Sequence, residues 1–291
     1  MPEIRYRNLV ICALTYSWAM LVFMPLAMPE ENAKRLDLLP GILEDDDRVR
    51  VESATPPWNA VGRINRRFGG FCTGTLVAPD RVLTAAHCLF NARAGTWPSA
   101  KSLHFVAGYR RNQYVADAAG LRTRHPDVDM DVQGRPSEIK KDWAFLTLVK
   151  PLAKPWTKHL ANPDADRQAN SSEDITASPD GLVSSEPEGT ASSIQAFPIY
   201  DGDLADLAGE PLVLAAYHQD AAHILSVQSG CEIAGIYEDN TVFTHTCDST
   251  KGASGAPILM EQDGILHIVG ITVAIARRDG KAIGVGVRPP F

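Results

Sequence analysis

The sequence predicts an all-β protein built as two antiparallel barrels packed side by side, and three observations carry that expectation. Short runs rich in Val, Ile, Leu, Thr and Phe recur in both halves, cut at intervals by Gly, Pro, Asn and Asp, the punctuation of strands and tight turns. Apart from one turn at Ala85 to Asn91, no run of useful length repeats its apolar residues at helical spacing. A polar stretch at 155–193, carrying scattered Asp and Glu among Ser, Pro, Asn and Ala, separates the two sets of runs as an exposed linker or insertion does.

Taken in order, the 291 residues, 45% hydrophobic and 22% charged, have an ordinary globular balance, long enough for one large domain or two small ones. A formal net charge of -7 without any basic cluster argues against nucleic acid as a partner. Residues 1–28 read as an export signal: Arg5 and Arg7 precede an almost uncharged apolar segment from Leu9 to Met28, and Glu30 and Glu31 follow. The expected location is therefore secreted or periplasmic, with membrane attachment only if that segment stays uncleaved as an anchor. Residues 29–50 are polar, with Glu44, Asp45, Asp46 and Asp47 in a row, and read as an acidic pro-segment or surface arm. The alternating ligand spacing of a calcium loop is absent there.

The first barrel is expected over 51–154, from runs such as V-G-R-I-N-R, C-T-G-T-L-V-A, R-V-L-T-A and L-H-F-V-A. The second is expected over 194–291, from P-L-V-L-A-A-Y, H-I-L-S-V, T-V-F-T-H-T, A-P-I-L-M and I-L-H-I-V-G-I-T-V-A-I-A.

Chemistry concentrates in three stretches. Cys247 to Pro257 reads C-D-S-T-K-G-A-S-G-A-P, with Ser254 between the small residues Ala253 and Gly255 and with Gly252 just upstream. Small residues let the backbone turn sharply and aim two amides, those of Gly252 and Ser254, at one substrate oxygen. Thr84 to Cys88 reads T-A-A-H-C, and the imidazole of His87 titrates near neutrality, so it can take a hydroxyl proton and return it to a leaving amine. Asp142 opens D-W-A-F-L-T-L, where an apolar run can hold a carboxylate at the core edge against the far ring nitrogen of that histidine. Asp127, Asp129 and Asp131 compete for that role, but they lie in a polar stretch beside His125, where a carboxylate stays solvated. The other histidines, His104, His125, His159, His218, His223, His245 and His267, sit in no motif and are taken as surface or structural residues.

In the order His, Asp, Ser these motifs resemble the chymotrypsin-fold serine proteases and are most similar to the bacterial glutamyl-endopeptidase-like branch, from about Trp58 to the C-terminus. T-A-A-H-C is the most specific of them, and G-A-S-G-A-P is a variant of the family's G-D-S-G-G-P in which Ala253 replaces an aspartate. The resemblance implies two six-stranded barrels with the site in the cleft between them, His87 and Asp142 from the first and Ser254 from the second. It implies peptide-bond hydrolysis through an acyl-enzyme: Ser254 attacks, His87 shuttles the proton, Asp142 orients His87, and the Gly252 and Ser254 amides form an oxyanion hole. No cofactor or metal is implied, and the expected partners of a monomer are polypeptide substrates. Without the aspartate that receives a freed N-terminal amine in trypsin-like zymogens, chains starting at several positions between Pro29 and Arg50 are all expected to be active once the signal is absent.

Cys12 lies in the export segment, which leaves Cys72, Cys88, Cys231 and Cys247, an even set that allows three pairings. The resemblance implies Cys72 with Cys88, and Cys231 with Cys247 then follows, each bridge contributing roughly 3 kcal/mol in a chain-entropy treatment. The absence of any C-x-x-C argues against zinc. Specificity stays open. Asp248 stands six residues before Ser254, where the trypsin branch places its pocket-base aspartate, but Cys247 precedes it where trypsin's pocket cysteine follows. The glutamyl-like branch has a histidine where Thr272 stands in G-I-T-V. Two other functions fit the same residues: a catalytically silent binding or adhesion protein on the barrel scaffold, and an exported serine esterase, against which the lack of a G-x-S-x-G elbow counts.

Overall fold

Fourteen strands organise the chain in a computed structural model that describes residues 41–43, 45–156, 194–278 and 281–290. The apolar segment 1–28, the arm up to residue 40 together with Glu44, and the linker from 157 to 193 lie outside the described residues. Among the described residues no helix is long and apolar enough to cross a membrane. The strands are β1 (Val49–Arg50), β2 (Val61–Arg66), β3 (Phe71–Ala78), β4 (Arg81–Thr84), β5 (Leu103–Ala107), β6 (Ala116–Arg124), β7 (Ala144–Leu148), β8 (Leu212–Tyr217), β9 (Leu225–Cys231), β10 (Ile233–Tyr237), β11 (Val242–His245), β12 (Pro257–Gln262), β13 (Ile265–Arg278) and β14 (Lys281–Val287).

The first six-stranded unit is a closed barrel, in the order β2-β3-β4-β7-β6-β5. Its centre is filled by Ile64, Leu76, Val82, Leu103, Phe105 and Leu146, all fully buried, each stabilising the fold by roughly 1.5–3 kcal/mol relative to exposure. Strand β3 is buried on both faces from Cys72 to Leu76. One face packs inward, where a side chain on Gly74 would meet Ile64 and Val82. The other carries Thr73 toward the second half of the chain.

The second half is an eight-stranded antiparallel sheet, β1-β9-β8-β12-β13-β14-β11-β10, two strands larger than the six expected. One addition comes from the arm, because Val49 and Arg50 pair with Val227 and Ser226. The edge of β9 would otherwise expose a row of unpaired backbone groups, and β1 covers it. The arm is further held where Arg48 donates to Asp46 and, at 2.8 Å, to Asp220. Thus Val49 and Arg50, at the end of the arm, are part of the sheet.

Strands β6, β10 and β14 have weak sequence signals. A-D-A-A-G-L-R-T-R and K-A-I-G-V-G-V are diluted with Ala, Gly and charge, so their pairing is set by neighbours and not by their own alternation. The two bridges are Cys72–Cys88 and Cys231–Cys247.

Candidate active site

The pairing of β4 with β7 brings His87 to Asp142. Thr84 opposes Ala144 in that antiparallel ladder, so the chain leaving β4 and the chain entering β7 are side by side. His87 lies in a 3-10 turn, Ala86–Leu89, pinned by the Cys88 bridge to β3. Asp142 ends another such turn, its amide donating to the Ile139 carbonyl at 2.9 Å. Its carboxylate, 1% exposed, accepts the His87 backbone amide at 2.9 Å on one oxygen and His87 Nδ1–H at 2.7 Å on the other. The rival Asp131 is instead taken by the amides of Gln133 and Arg135 and by the Arg135 side chain.

Ser254 arrives from the loop between β11 and β12. Its carbonyl accepts the Thr73 amide at 3.0 Å, Gly255 N–H donates to the Thr272 carbonyl at 2.8 Å, and the Gly252 carbonyl accepts Thr73 Oγ1 at 2.9 Å. Gly252 and Gly255 have φ of 98° and 80°, a left-handed region costly for other residues. A side chain on Gly255 would also strike Thr84 Oγ1 and the Thr73 carbonyl. Nothing in the sequence singles out Thr73, since one threonine in a strand carries no motif. It ties the Ser254 loop to the barrel and also accepts the Tyr217 amide at 3.0 Å.

His87 and Ser254 border one cleft of about 790 Å³. Among the described residues neither the Gly252 nor the Ser254 amide donates a hydrogen bond within the protein. Two such N–H groups beside a hydroxyl and a carboxylate-held imidazole can stabilise an oxyanion as it forms. Cys72, His87 and Cys88 bring ligand-type atoms together, but both sulfurs are tied in a disulfide and offer no thiolate to a metal.

Thr272 and Asp248, paired in the sequence reading, part company. Thr272 lines a cavity of about 140 Å³ with Ser249, Ala253 and Ser254, next to a β-bulge between Thr272 and Ala274. Behind it His245 is fully buried, which lowers its pKa to about 4 and keeps it neutral. Cys247 N–H donates to its Nδ1 at 3.2 Å, so Nε2 carries the proton and donates to Thr272 Oγ1 at 3.1 Å. The Thr272 hydroxyl hydrogen is then left for an acceptor in the cavity.

Asp248 borders neither cavity that Ser254 lines. It is 1% exposed beneath residues 41–43, where Oδ1 accepts the Leu43 amide at 2.6 Å and Oδ2 has no partner. Burial, reinforced by the charges of Asp47 and Asp46, raises its pKa to about 7. A carboxylate does receive the N-terminal arm, therefore, but at Asp248 and not at the alanine of G-A-S-G-A-P.

A family model described as a trypsin-like peptidase domain matches residues 72–271. The glutamyl endopeptidase of Bacillus licheniformis is 33% identical over 72 residues, 24% of this chain and 22% of that protein, so the match spans about a fifth of the relative's length. A solved structure titled "Structure of Glu endopeptidase in complex with MPD" superposes with a TM-score of 0.58 at 18% identity, over 85% of this chain and 93% of that one, a likeness of fold. The family match takes in His87, Asp142 and Ser254 and covers well over half of the sequence, and the chain belongs to the trypsin-like peptidase family.

Proposed function

We propose that the chain is an exported serine endopeptidase that cleaves polypeptides through an acyl-enzyme. The observation that carries the reading is the His87–Asp142 pair at 2.7 Å opening onto the cleft that Ser254 borders. In this reading His87 Nε2 takes the Ser254 hydroxyl proton as Oγ attacks the carbonyl carbon, and the imidazolium is stabilised by the buried carboxylate. The Gly252 and Ser254 amides hold the tetrahedral oxyanion. His87 then protonates the leaving amine, and water, deprotonated by the same imidazole, releases the acyl group. The residues named need no cofactor for these steps.

Export is supported by the two disulfides, which persist in oxidising compartments, and by the charge pattern of 1–28. On the acyl side, the free hydrogen of Thr272 favours a substrate side chain that ends in a hydrogen-bond acceptor, a chemistry shared by Glu and Gln and compatible with the names of the similar glutamyl endopeptidases.

The test is labelling of the purified protein with a serine-directed fluorophosphonate, followed by cleavage of unfolded casein. Labelling lost in Ser254→Ala and strongly slowed in His87→Ala is expected. Casein cleavage that survives Ser254→Ala would sink the reading.

A further inference from the structure

The leaving half of a substrate must pass over His87, because the imidazole gives its proton to the departing amine. Among the described residues Ser254 borders a cavity of about 790 Å³ and one of about 140 Å³, and of these two the larger is also bordered by His87. Its walls carry three cations, Arg66, Arg93 and Lys251, and no carboxylate, in a chain whose net charge is -7.

Arg66 is the one built into the fold. It ends β2, half-buried, with its guanidinium 5.3 Å from the centre of the Phe68 ring. Its Nε is buried without a hydrogen-bond partner, and among the described residues no carboxylate pairs with it. A partly desolvated guanidinium without a counter-ion is costly, and a carboxylate that arrives with the ligand removes that cost while gaining charge-assisted hydrogen bonds. Arg also presents its donors in a planar fork that matches a carboxylate, which the exposed Lys251 ammonium does not.

We propose that this cavity is a carboxylate-binding subsite for the leaving half of the substrate, with Arg66 as its specificity-determining residue and Arg93 and Lys251 adding to the positive field. The proposal rests on the reading of Ser254 and His87 as a hydrolytic pair. The carboxylate is either an acidic side chain just after the cleaved bond or the terminal carboxylate of a short substrate.

Peptides with one common acyl half and Glu, Gln or Lys in the first positions after the cleaved bond test it, each made with a free and an amidated C-terminus. Their Kd for the full chain carrying Ser254→Ala is read by fluorescence polarisation, which needs no turnover, and kcat/KM is read on the unmutated enzyme. Glu is expected to exceed Gln by about tenfold in both, with the ratio shrinking as salt is raised. Arg66→Gln, its melting temperature checked, is expected to bring the ratio close to one, and Arg66→Lys to restore part of it.

A preference that persists in amidated Glu peptides assigns the acidic side chain. One that follows the free C-terminus, whatever the residue, assigns the terminal carboxylate. On the Ser254→Ala protein, a Glu to Gln ratio below two together with a free to amidated ratio below two, or a preference that Arg66→Gln leaves unchanged, overturns the subsite. Failure of fluorophosphonate labelling overturns the hydrolase instead, while the binding ratio still decides whether the cavity takes a carboxylate.

Discussion

Asp142 holds His87 at two points, its Oδ1 accepting the backbone amide at 2.9 Å and its Oδ2 the ring Nδ1–H at 2.7 Å. One carboxylate thereby fixes both where the residue sits and which way its ring faces. Asp142→Asn keeps the size of the side chain but puts an amide donor or a neutral oxygen against Nδ1, which favours the wrong tautomer. Casein hydrolysis is expected to fall on the order of 10,000-fold, a magnitude carried over from the trypsin-like triad, while the fold is retained. Asp129→Asn, by contrast, is expected to leave activity nearly unchanged.

Thr73 is expected to matter for both stability and rate. Its hydroxyl donates to the Gly252 carbonyl and accepts the Tyr217 amide, so Thr73→Val removes both bonds at almost constant volume and leaves two polar groups unpartnered. The expected loss is about 2–5 kcal/mol, read from urea unfolding. Fluorophosphonate labelling of Ser254 should slow as well, since Gly252 loses its anchor. A variant as stable and as fast as the parent would show that the loop is held by other means.

Asp248 makes stability depend on pH in an unusual direction. Burial raises its folded pKa from 3.8 to about 7, so between those values the folded chain keeps a proton that the unfolded chain has lost. The stabilising contribution is complete below the unfolded pKa and disappears as pH rises through about 7. At roughly 1.4 kcal/mol per unit the swing is up to about 4 kcal/mol. His245 and His218 act the other way. Burial lowers them to about 4 and about 3, so their neutral forms cost stability as pH falls below the ordinary histidine range. Asp248→Asn isolates the first effect: it should be more stable than the parent at pH about 8, with the gap closing toward pH about 4. A gap independent of pH would refute the assignment.

Thr272→Val tests the hydrogen-bond relay from His245. Cleavage after Gln and Glu is expected to drop about tenfold relative to cleavage after an unbranched apolar residue, the cost of one buried donor lost to the substrate. Because His245 stays neutral down to about pH 4, the preference should be flat between pH about 5 and 8. A library profile dominated by Arg and Lys would contradict the relay.

The arm gives a fifth prediction. Gly41 accepts the Ser249 amide at 2.8 Å, Leu43 donates to Asp248 and Val49 pairs with Val227. Chains that begin at several points between Pro29 and Pro40 should melt alike, whereas one that begins at Val51 should melt several degrees lower, having lost the strand and the pairing of Arg48 with Asp220. Equal melting of all of them would show that the arm strand and the Arg48–Asp220 pair add nothing to stability.

The sequence by itself determined the strands that bury a side-chain face and the three stretches that carry chemistry. A run such as R-V-L-T or A-F-L-T-L declares itself through its own apolar residues, and T-A-A-H-C and G-A-S-G-A-P through local spacing that a linear chain displays directly. It also held an even set of cysteines, although the choice among pairings came from a resemblance. Only the tertiary structure decided which residues far apart in the chain meet: Thr73 beneath Gly252, His245 behind Thr272, Leu43 on Asp248, Arg66 on the wall of the His87 cleft. The offset that put Asp248 at a pocket base assumed a fixed loop path, and the path of a loop is set by the hydrogen bonds it makes to other elements. The sixth, tenth and fourteenth strands and the arm strand were likewise invisible, because a strand of small or polar residues is specified by the neighbours it pairs with and not by its own pattern.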